Sequence, residues 1–505
     1  MNLDLLLMRQ ANQQSARIFL SHPTRNLTYE QTEEEVGRLA GFFVSRGLSA
    51  GGFVHLMLPK CPELVTGFLA TNRARGIAIP VNTKQPVTSL RDFFTKYVTR
   101  FIVVHAMYRD LLLQAIDGWA PQPVMLLVDD NCTSGLISYR SALTSTRIDA
   151  AEYDSNDASY LNFSSGSTGM PRAAVATHSQ ICWNTRSICE VFGFGPEDVH
   201  LPMFAVFAHP HEIFMRALWT GGSVVLHDHV YPRALAALAA EQGVSAIMAV
   251  ATVYQLLLTP LTQQSLPKLR VAESGGMLTS RQLIDRFYSL TGRYISPVWG
   301  STESCGPAIA TRPGQVHPDG ILGYRCPYYE LRVVDERDEE LPSDAPGELL
   351  VAGPGVTECY WNDDAATHQL LASGWYRTGD IVTHTSDGLF RFLSRTRQVI
   401  KVSGIKVYAR EIEERIIQHP SVASCLVVAD QDTLRGDVHR VLITPDVGKE
   451  FIENILYPYL YRHLPRYKVP RSICSVDEFP RLSGGKVDYE QALHLARKFA
   501  LESQR

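Results

Sequence analysis

The chain has 505 residues, 45% of them hydrophobic and 20% charged. That is long and apolar enough for several domains, or one large domain with an appendage, and it excludes whole-chain disorder. Basic and acidic residues nearly balance, 48 against 52, for a formal net charge of −4; the charge therefore gives no reason to expect a nucleic-acid partner or a membrane surface.

The N-terminus, Met1-Asn2-Leu3-Asp4, carries an acid where a secretory signal wants basic charge, and the apolar stretch after it is short. Val36, Leu39, Ala40 and Phe43 recur at helical spacing, and Gly47 and Gly51-Gly52 then break the pattern. Phe53 to Leu58 reads as a strand, Glu63 to Arg73 as a helix and Ile77 to Val81 as a strand. Strand-like runs follow at Phe101–His105, Val124–Val128 and Ser223–His227, with a helix over Arg233–Gln242. Strands alternating with helices predict βαβ units and a largely parallel sheet. From about residue 320 the texture changes to short β-like segments bounded by Gly and Pro, such as Tyr329–Val334 and Gly347–Val351. After Arg395 a compact α+β unit is expected, with a helix at Ala409–Gln418 and a strand at Ala423–Ala429. There is no internal repeat. No apolar run approaches 18 residues, so no membrane helix is expected. The nine cysteines are dispersed without a CxxC pair, which fits a reducing compartment and argues against a zinc ribbon. Together these features predict a cytoplasmic protein.

The stretch Tyr160-Leu161-Asn162-Phe163-Ser164-Ser165-Gly166-Ser167-Thr168-Gly169-Met170-Pro171-Arg172 carries the strongest chemical signal. A strand-like entry runs into hydroxyls, glycines and a cation. Glycines let backbone N–H groups close around an anion, hydroxyls add donors, and an arginine adds a fork of donors for phosphate. It is not a Walker A loop, which would need Gly-Lys followed by Ser or Thr.

This loop resembles the phosphate-binding signature of the adenylate-forming superfamily: acyl- and aryl-CoA synthetases, adenylation domains of nonribosomal peptide synthetases, and luciferases. Further matches follow in the family's order. Trp299-Gly300-Ser301-Thr302-Glu303 resembles its aromatic-Gly-x-Thr-Glu motif, and Tyr376-Arg377-Thr378-Gly379-Asp380 its Tyr-Arg-Thr-Gly-Asp motif. Ser394-Arg395-Thr396-Arg397, with Lys401-Val402-Ser403-Gly404, is similar to the inter-domain segment. Gly484-Gly485-Lys486-Val487-Asp488 is similar to the C-terminal lysine motif. The early runs Leu27-Thr28-Tyr29 and Ile79-Pro80-Val81-Asn82 agree as well. The nearest likeness is to stand-alone acyl- or aryl-acid–AMP ligases.

The resemblance implies an α/β fold: a large N-terminal domain of α/β layers with a β-rich subdomain (residues 1–396), and a small mobile α+β C-terminal domain (residues 397–505). It implies that a carboxylic acid and Mg-ATP form an acyl-adenylate, and that the acyl group then passes to a phosphopantetheine thiol of CoA or of a separate acyl carrier protein. By the same resemblance, Ser164, Ser165, Gly166, Ser167, Thr168, Gly169 and Arg172 hold phosphates. Gly276, Trp299, Gly300, Ser301 and Thr302 line the nucleotide, with Trp299 offering a flat face to adenine and Thr302 donating to the α-phosphate. Glu303 is the magnesium ligand, Asp380 accepts from the ribose hydroxyls, and Arg395 supports ribose or phosphate. Lys486 bridges carboxylate and α-phosphate, Ser403 and Gly404 line the path of the thiol, and Arg397 occupies the hinge. Four positions depart from the family pattern: Arg172 stands for a lysine, Ala173 for a glycine, Ser394 for a glycine, and Arg397 for an aspartate or lysine.

Phe204, Phe207, His209, Gly275 and Met277 are the expected acyl pocket. No aspartate occurs between Leu201 and Trp219 to pair with an α-ammonium, and a buried unpaired ammonium would be costly. An aromatic acid is therefore favoured. A medium-chain fatty acid, or an amino acid held by Glu212, is the alternative. A nucleotide-binding pseudoenzyme and a luciferase-like oxygenase are alternatives of other classes. The sequence leaves the oligomeric state and the thiol acceptor open.

Overall fold

The computed structural model describes residues 2–128, 135–163, 172–262, 265–402, 405–432, 436–445, 453–481 and 487–502. Two large sheets organise the first four hundred residues. One has seven strands in the order Ile137–Ser138, Val124–Val128, Phe101–His105, Phe53–Met57, Ile77–Pro80, Ala158–Phe163 and Ala173–Thr177. All its neighbours are parallel except the last pair. The other has thirteen strands. Its parallel part places Ser223–Val225, Val199–Pro202, Ala246–Ala249, Val271–Ser274 and Ile295–Ser301 side by side. The β-rich region anticipated after residue 320 is the antiparallel continuation of this sheet through Gly306–Ala310, Ile321–Arg325, Leu389–Arg395, Tyr376–His384, Gly347–Ala352 and Glu330–Val334.

Local chemistry explains where the elements start and stop. Thr28 and Gln31 form a reciprocal capping box that starts helix Tyr29–Ser45, and Thr177 with Gln180 does the same for helix His178–Phe192. The latter ends at Gly193, whose φ of 60° is the left-handed conformation glycine adopts without penalty. The N-terminal segment is a helix, Leu3–Gln13, capped by Asn2. Buried Arg73 holds it, donating at 2.6 Å both to Asp4 and to Glu33 of the next helix. The strand expected over Ser223–His227 ends at Val225. Just beyond it Lys60 binds the chain, its N–H donating to Asp228 at 2.8 Å and its ammonium to the His227 carbonyl at 3.2 Å.

Beyond Arg395 a one-turn helix, Thr396–Gln398, leads into a hairpin (Ile400–Val402 with Ile405–Val407) and helix Ala409–Ile416. A separate three-stranded sheet, Val422–Asp432, Gly436–Pro445 and Ser472–Ser475, and helix Tyr489–Glu502 follow. This part has its own apolar cores, one built on Ile412, Val427, Val441 and Leu460. Among the described residues no helix is long and apolar enough to cross a membrane.

Candidate functional site

In both sheets the parallel strands send their C-terminal ends toward loops that carry the motifs. This edge is where open α/β sheets bind ligands, because the strand order leaves a crevice there. Ala158–Phe163 ends immediately before residues 164–171. Val199–Pro202 leads into the segment with Phe204, Phe207 and His209. Val271–Ser274 leads into Gly275-Gly276-Met277, and Ile295–Ser301 into Thr302 and Glu303.

Gly300 is obligatory where it sits: a Cβ there would lie 2.3 Å from the Gly306 carbonyl oxygen. Ser301 and Ser304 lock the turn by exchanging bonds, Ser301 N–H to Ser304 Oγ at 2.8 Å and Ser304 N–H to Ser301 Oγ at 3.1 Å. Glu303 is consequently buried, 7% exposed. The Tyr360 hydroxyl donates to its Oε1 at 2.7 Å, and the Thr357 N–H to its carbonyl at 2.8 Å. Asn162, at the end of its strand, donates to the Thr302 carbonyl at 3.3 Å and so ties the two sheets together at the motif.

Asp380 lies opposite Arg395 in adjacent strands and is 1% exposed. Its Oδ2 accepts from the Trp299 indole N–H at 2.8 Å, and its Oδ1 faces Arg395 Nε at 2.7 Å. Arg395 is itself exposed; partial desolvation opposes its charge, but the Asp380 carboxylate outweighs this and strengthens its hold on the proton. Trp299, Asp380 and Arg395 thus form one cluster, although 81 residues separate the indole from its carboxylate. A carboxylate offers about four lone-pair positions, so Asp380 keeps acceptor capacity beyond these two partners.

The residues expected to line the acyl pocket fall on two segments. Phe204 packs on the core built around Tyr160, Ile213 and Phe214, while Met277 packs on another that includes Met203 and Tyr254. Phe207 is half-buried. Gly276 turns the chain with φ of 80°, and a Cβ on Gly275 would meet Val298 at 2.9 Å. His209 begins a short helix in a left-handed conformation. Its Nδ1 lies 3.3 Å from Asn162 Nδ2 and 4.0 Å from Glu212 Oε2. His211 binds the Tyr160 hydroxyl at 2.8 Å, and burial pushes its titration well below the ordinary histidine range, so the ring is neutral at pH 7.

Arg172 is exposed and sits 3.8 Å from Asp363. The Arg397 guanidinium lies 5.3 Å above the ring of Tyr489. The structure therefore brings Thr302, Glu303, Trp299, Asp380 and Arg395 together, with His209 alongside through Asn162. Ser164–Gly169, Ser403, Gly404 and Lys486 lie outside the described residues. Sequence reasoning missed Asn162, Tyr360, Arg216 and Glu273. The last two had a readable signal: a lone charge inside an apolar run must be paired when buried.

A family model for the AMP-binding enzyme matches residues 7–361, and one for the AMP-binding enzyme C-terminal domain matches residues 411–486. The chain belongs to the AMP-binding enzyme family. Among its relatives are the long-chain-fatty-acid–CoA ligase of Escherichia coli O6:H1 (27% identical, covering 91% of this chain and 88% of that one) and the indoleacetate–CoA ligase of Aromatoleum aromaticum (27% identical, covering 99% and 100%). The crystal structure of the anthranilate CoA ligase AuaEII in complex with anthranoyl-AMP shares the fold, with a TM-score of 0.89 at 23% identity over 99% of this chain and 98% of that one. Membership makes the chain an acid–thiol ligase of the adenylate-forming superfamily.

Proposed function

We propose that the protein activates an aromatic carboxylic acid as its acyl-adenylate and transfers the acyl group to the thiol of CoA. The observation that carries the substrate reading is the fate of Glu212. It is the one acid between Leu201 and Trp219, and its Oε1 already accepts from Arg216 at 2.9 Å. The one carboxylate on this wall is already paired with a guanidinium, which weakens its pull on an α-ammonium, whereas Phe204 and Phe207 supply aromatic surface. The relatives named above are CoA ligases, which favours CoA over a carrier protein.

In the first half-reaction a carboxylate oxygen attacks the α-phosphorus, and the bond to the β-phosphate breaks to release pyrophosphate. In the second the thiolate attacks the acyl carbon and AMP leaves. Ser164–Gly169 and Arg172 cradle phosphate, and Asp380, braced by Trp299 and Arg395, receives the ribose hydroxyls. Lys486 neutralises charge shared by the carboxylate and α-phosphate. Residues 1–396 and 397–505 act as two domains that turn about Arg397.

The donor set fits magnesium. Glu303 is a hard carboxylate held by Tyr360 and adjacent in sequence to Thr302, and among the described residues no group of three or more His, Cys, Asp or Glu could hold a metal. Magnesium commonly takes one or two carboxylates and completes its shell with phosphate oxygens and water. When bound it would offset charge on the leaving pyrophosphate.

An ATP–pyrophosphate exchange screen over aryl, aliphatic and amino acids tests the reading. Aryl acids should lead, and the product with CoA should be the aryl thioester. A standard α-amino acid leading the screen would overturn the assignment.

A further inference from the structure

Behind the acyl walls lies a buried ionic triad to which adenylation gives no task. Arg216 donates through Nη2 to Glu212 Oε1 at 2.9 Å and to Glu273 Oε1 at 3.1 Å, and through Nη1 to Glu273 Oε2 in a closer contact. Arg216 is 2% exposed and Glu273 5%. Such a triad rarely adds stability over apolar side chains of the same volume, because removing three charges from water offsets their attraction. What it does supply is direction, since a planar guanidinium with fixed donors sets the spacing of the carboxylates it bridges.

Those carboxylates sit at the roots of the two acyl walls. Glu273 immediately precedes Ser274-Gly275-Gly276-Met277. Glu212 is three residues beyond His209, and its Oε2 faces the imidazole Nδ1 at 4.0 Å. His209 has φ of 57° and ψ of 58°, a conformation that a residue with a Cβ keeps only when its surroundings hold it. Asn162 completes the hold, with Nδ2 at 3.3 Å from both His209 Nδ1 and the Thr302 carbonyl. The Glu212 N–H also donates to the His209 carbonyl at 3.0 Å, so a polar chain runs from Glu273 through Arg216 to Glu212, through that backbone bond to His209, and on through Asn162 to Thr302.

We propose that Arg216, clamped between Glu212 and Glu273, is the positioning residue of the acyl site: it fixes the separation of the His209 wall from the Gly275–Met277 wall and thereby which acids fit. The proposal rests on the reading that these walls hold the acid, not on which acid is preferred. Arg216 is buried behind the two walls, so its effect passes through them, on one side by way of Glu212 and His209.

The test uses whichever acid exchanges best in the wild-type screen, so a wrong substrate class and a wrong strut fail separately. R216M alone would strand two buried carboxylates and is expected to unfold. The charge-free triple variant E212Q/R216M/E273Q removes all three charges together, and its fold is checked by circular dichroism and cooperative melting. In pyrophosphate exchange its KM for the acid should rise, on the order of 10²-fold as for a displaced reacting group, while the KM for ATP stays at the wild-type value. Discrimination between acids of different size should narrow. H209A should raise the KM for the acid too, and H209A in the triple background should add little, since both break the same chain. If the triple variant does not melt cooperatively, R216K takes its place. A point charge cannot bridge both carboxylates as the fork does, so R216K should show a smaller version of the same KM split. Independent, multiplicative effects of H209A and the strut variant, equal rises in both KM values, or an unchanged KM for the acid would overturn the proposal.

Discussion

Glu303 shows how a single side chain is made fit for its task by a distant partner. The Tyr360 hydroxyl donates to one of its oxygens, and the rest of the carboxylate is left for a ligand. Burial, followed by the nearby Glu303 carboxylate, pushes the Tyr360 phenol above its ordinary range, so it stays protonated and remains a donor at any working pH. E303Q keeps the size and removes the charge that binds a hard cation; exchange activity should drop by about 10²-fold or more, the scale of losing one electrostatic stabiliser. Y360F should cost less and act mainly by raising the magnesium concentration needed for half-maximal exchange. Magnesium titrations of both variants check this, and unchanged magnesium dependence in both would remove Glu303 from the metal site. At this scale the sequence was legible where a motif is contiguous. Glu303 could be read from Trp299-Gly300-Ser301-Thr302-Glu303, whereas Tyr360 lies 57 residues further on with no local pattern to mark it.

At the scale of elements, alternation and apolar runs were sufficient. Phe101–His105 and Val124–Val128 were read residue for residue, because β-branched and large apolar side chains buried on both faces leave one extended solution. Ends were less legible where a tertiary partner meets the chain, as Lys60 does beyond Val225. The strands and helices also bury histidines. Desolvation takes the rings of His55, His178 and His200 down to about 3, from an ordinary value of 6.5. Between pH 6.5 and 3 the unfolded chain therefore binds protons that the native chain refuses, so stability is intact above pH 6.5 and falls as the pH drops below it. Each ring should contribute a slope of about 1.4 kcal/mol per pH unit in that window. His200 is the cleanest test, since both its ring nitrogens are buried without hydrogen-bond partners among the described residues and its ring meets Phe194 edge-on at 4.7 Å. H200F should flatten the dependence of the melting temperature on pH between 6.5 and 5; an unchanged slope would show that the ring titrates normally.

For the whole molecule, the described contacts between the two parts are few and polar. Arg391 forks onto Glu414 at 2.7 and 2.6 Å, and Lys401 and Lys406 approach Glu336 at 3.3 and 3.2 Å; inside the second part, Arg397 caps Tyr489. Such a junction suits a domain that turns between half-reactions, because exposed ion pairs are individually weak. K486A should nearly abolish pyrophosphate exchange yet still convert supplied acyl-adenylate to thioester, and G404L should do the reverse. Equal losses in both half-reactions, in folded protein, would argue against two working orientations. R397A removes a cation–π contact worth about 0.5–1 kcal/mol at an exposed site, and should shift the ratio of the two half-reactions by roughly threefold. The two-part division is what the resemblance implies; Arg397 on Tyr489 was not legible, since nothing near residue 397 announces a partner 92 positions away.

The indole N–H of Trp299 has an optical consequence. It donates to a buried carboxylate that the ribose is proposed to engage, so filling the nucleotide site changes the field across the chromophore. The chain should thus carry an intrinsic fluorescent gauge of occupancy, needing no dye. With six tryptophans present, the signal is isolated by difference: ATP or AMP should shift the emission of the wild-type protein, and W299F should bind nucleotide with that component missing.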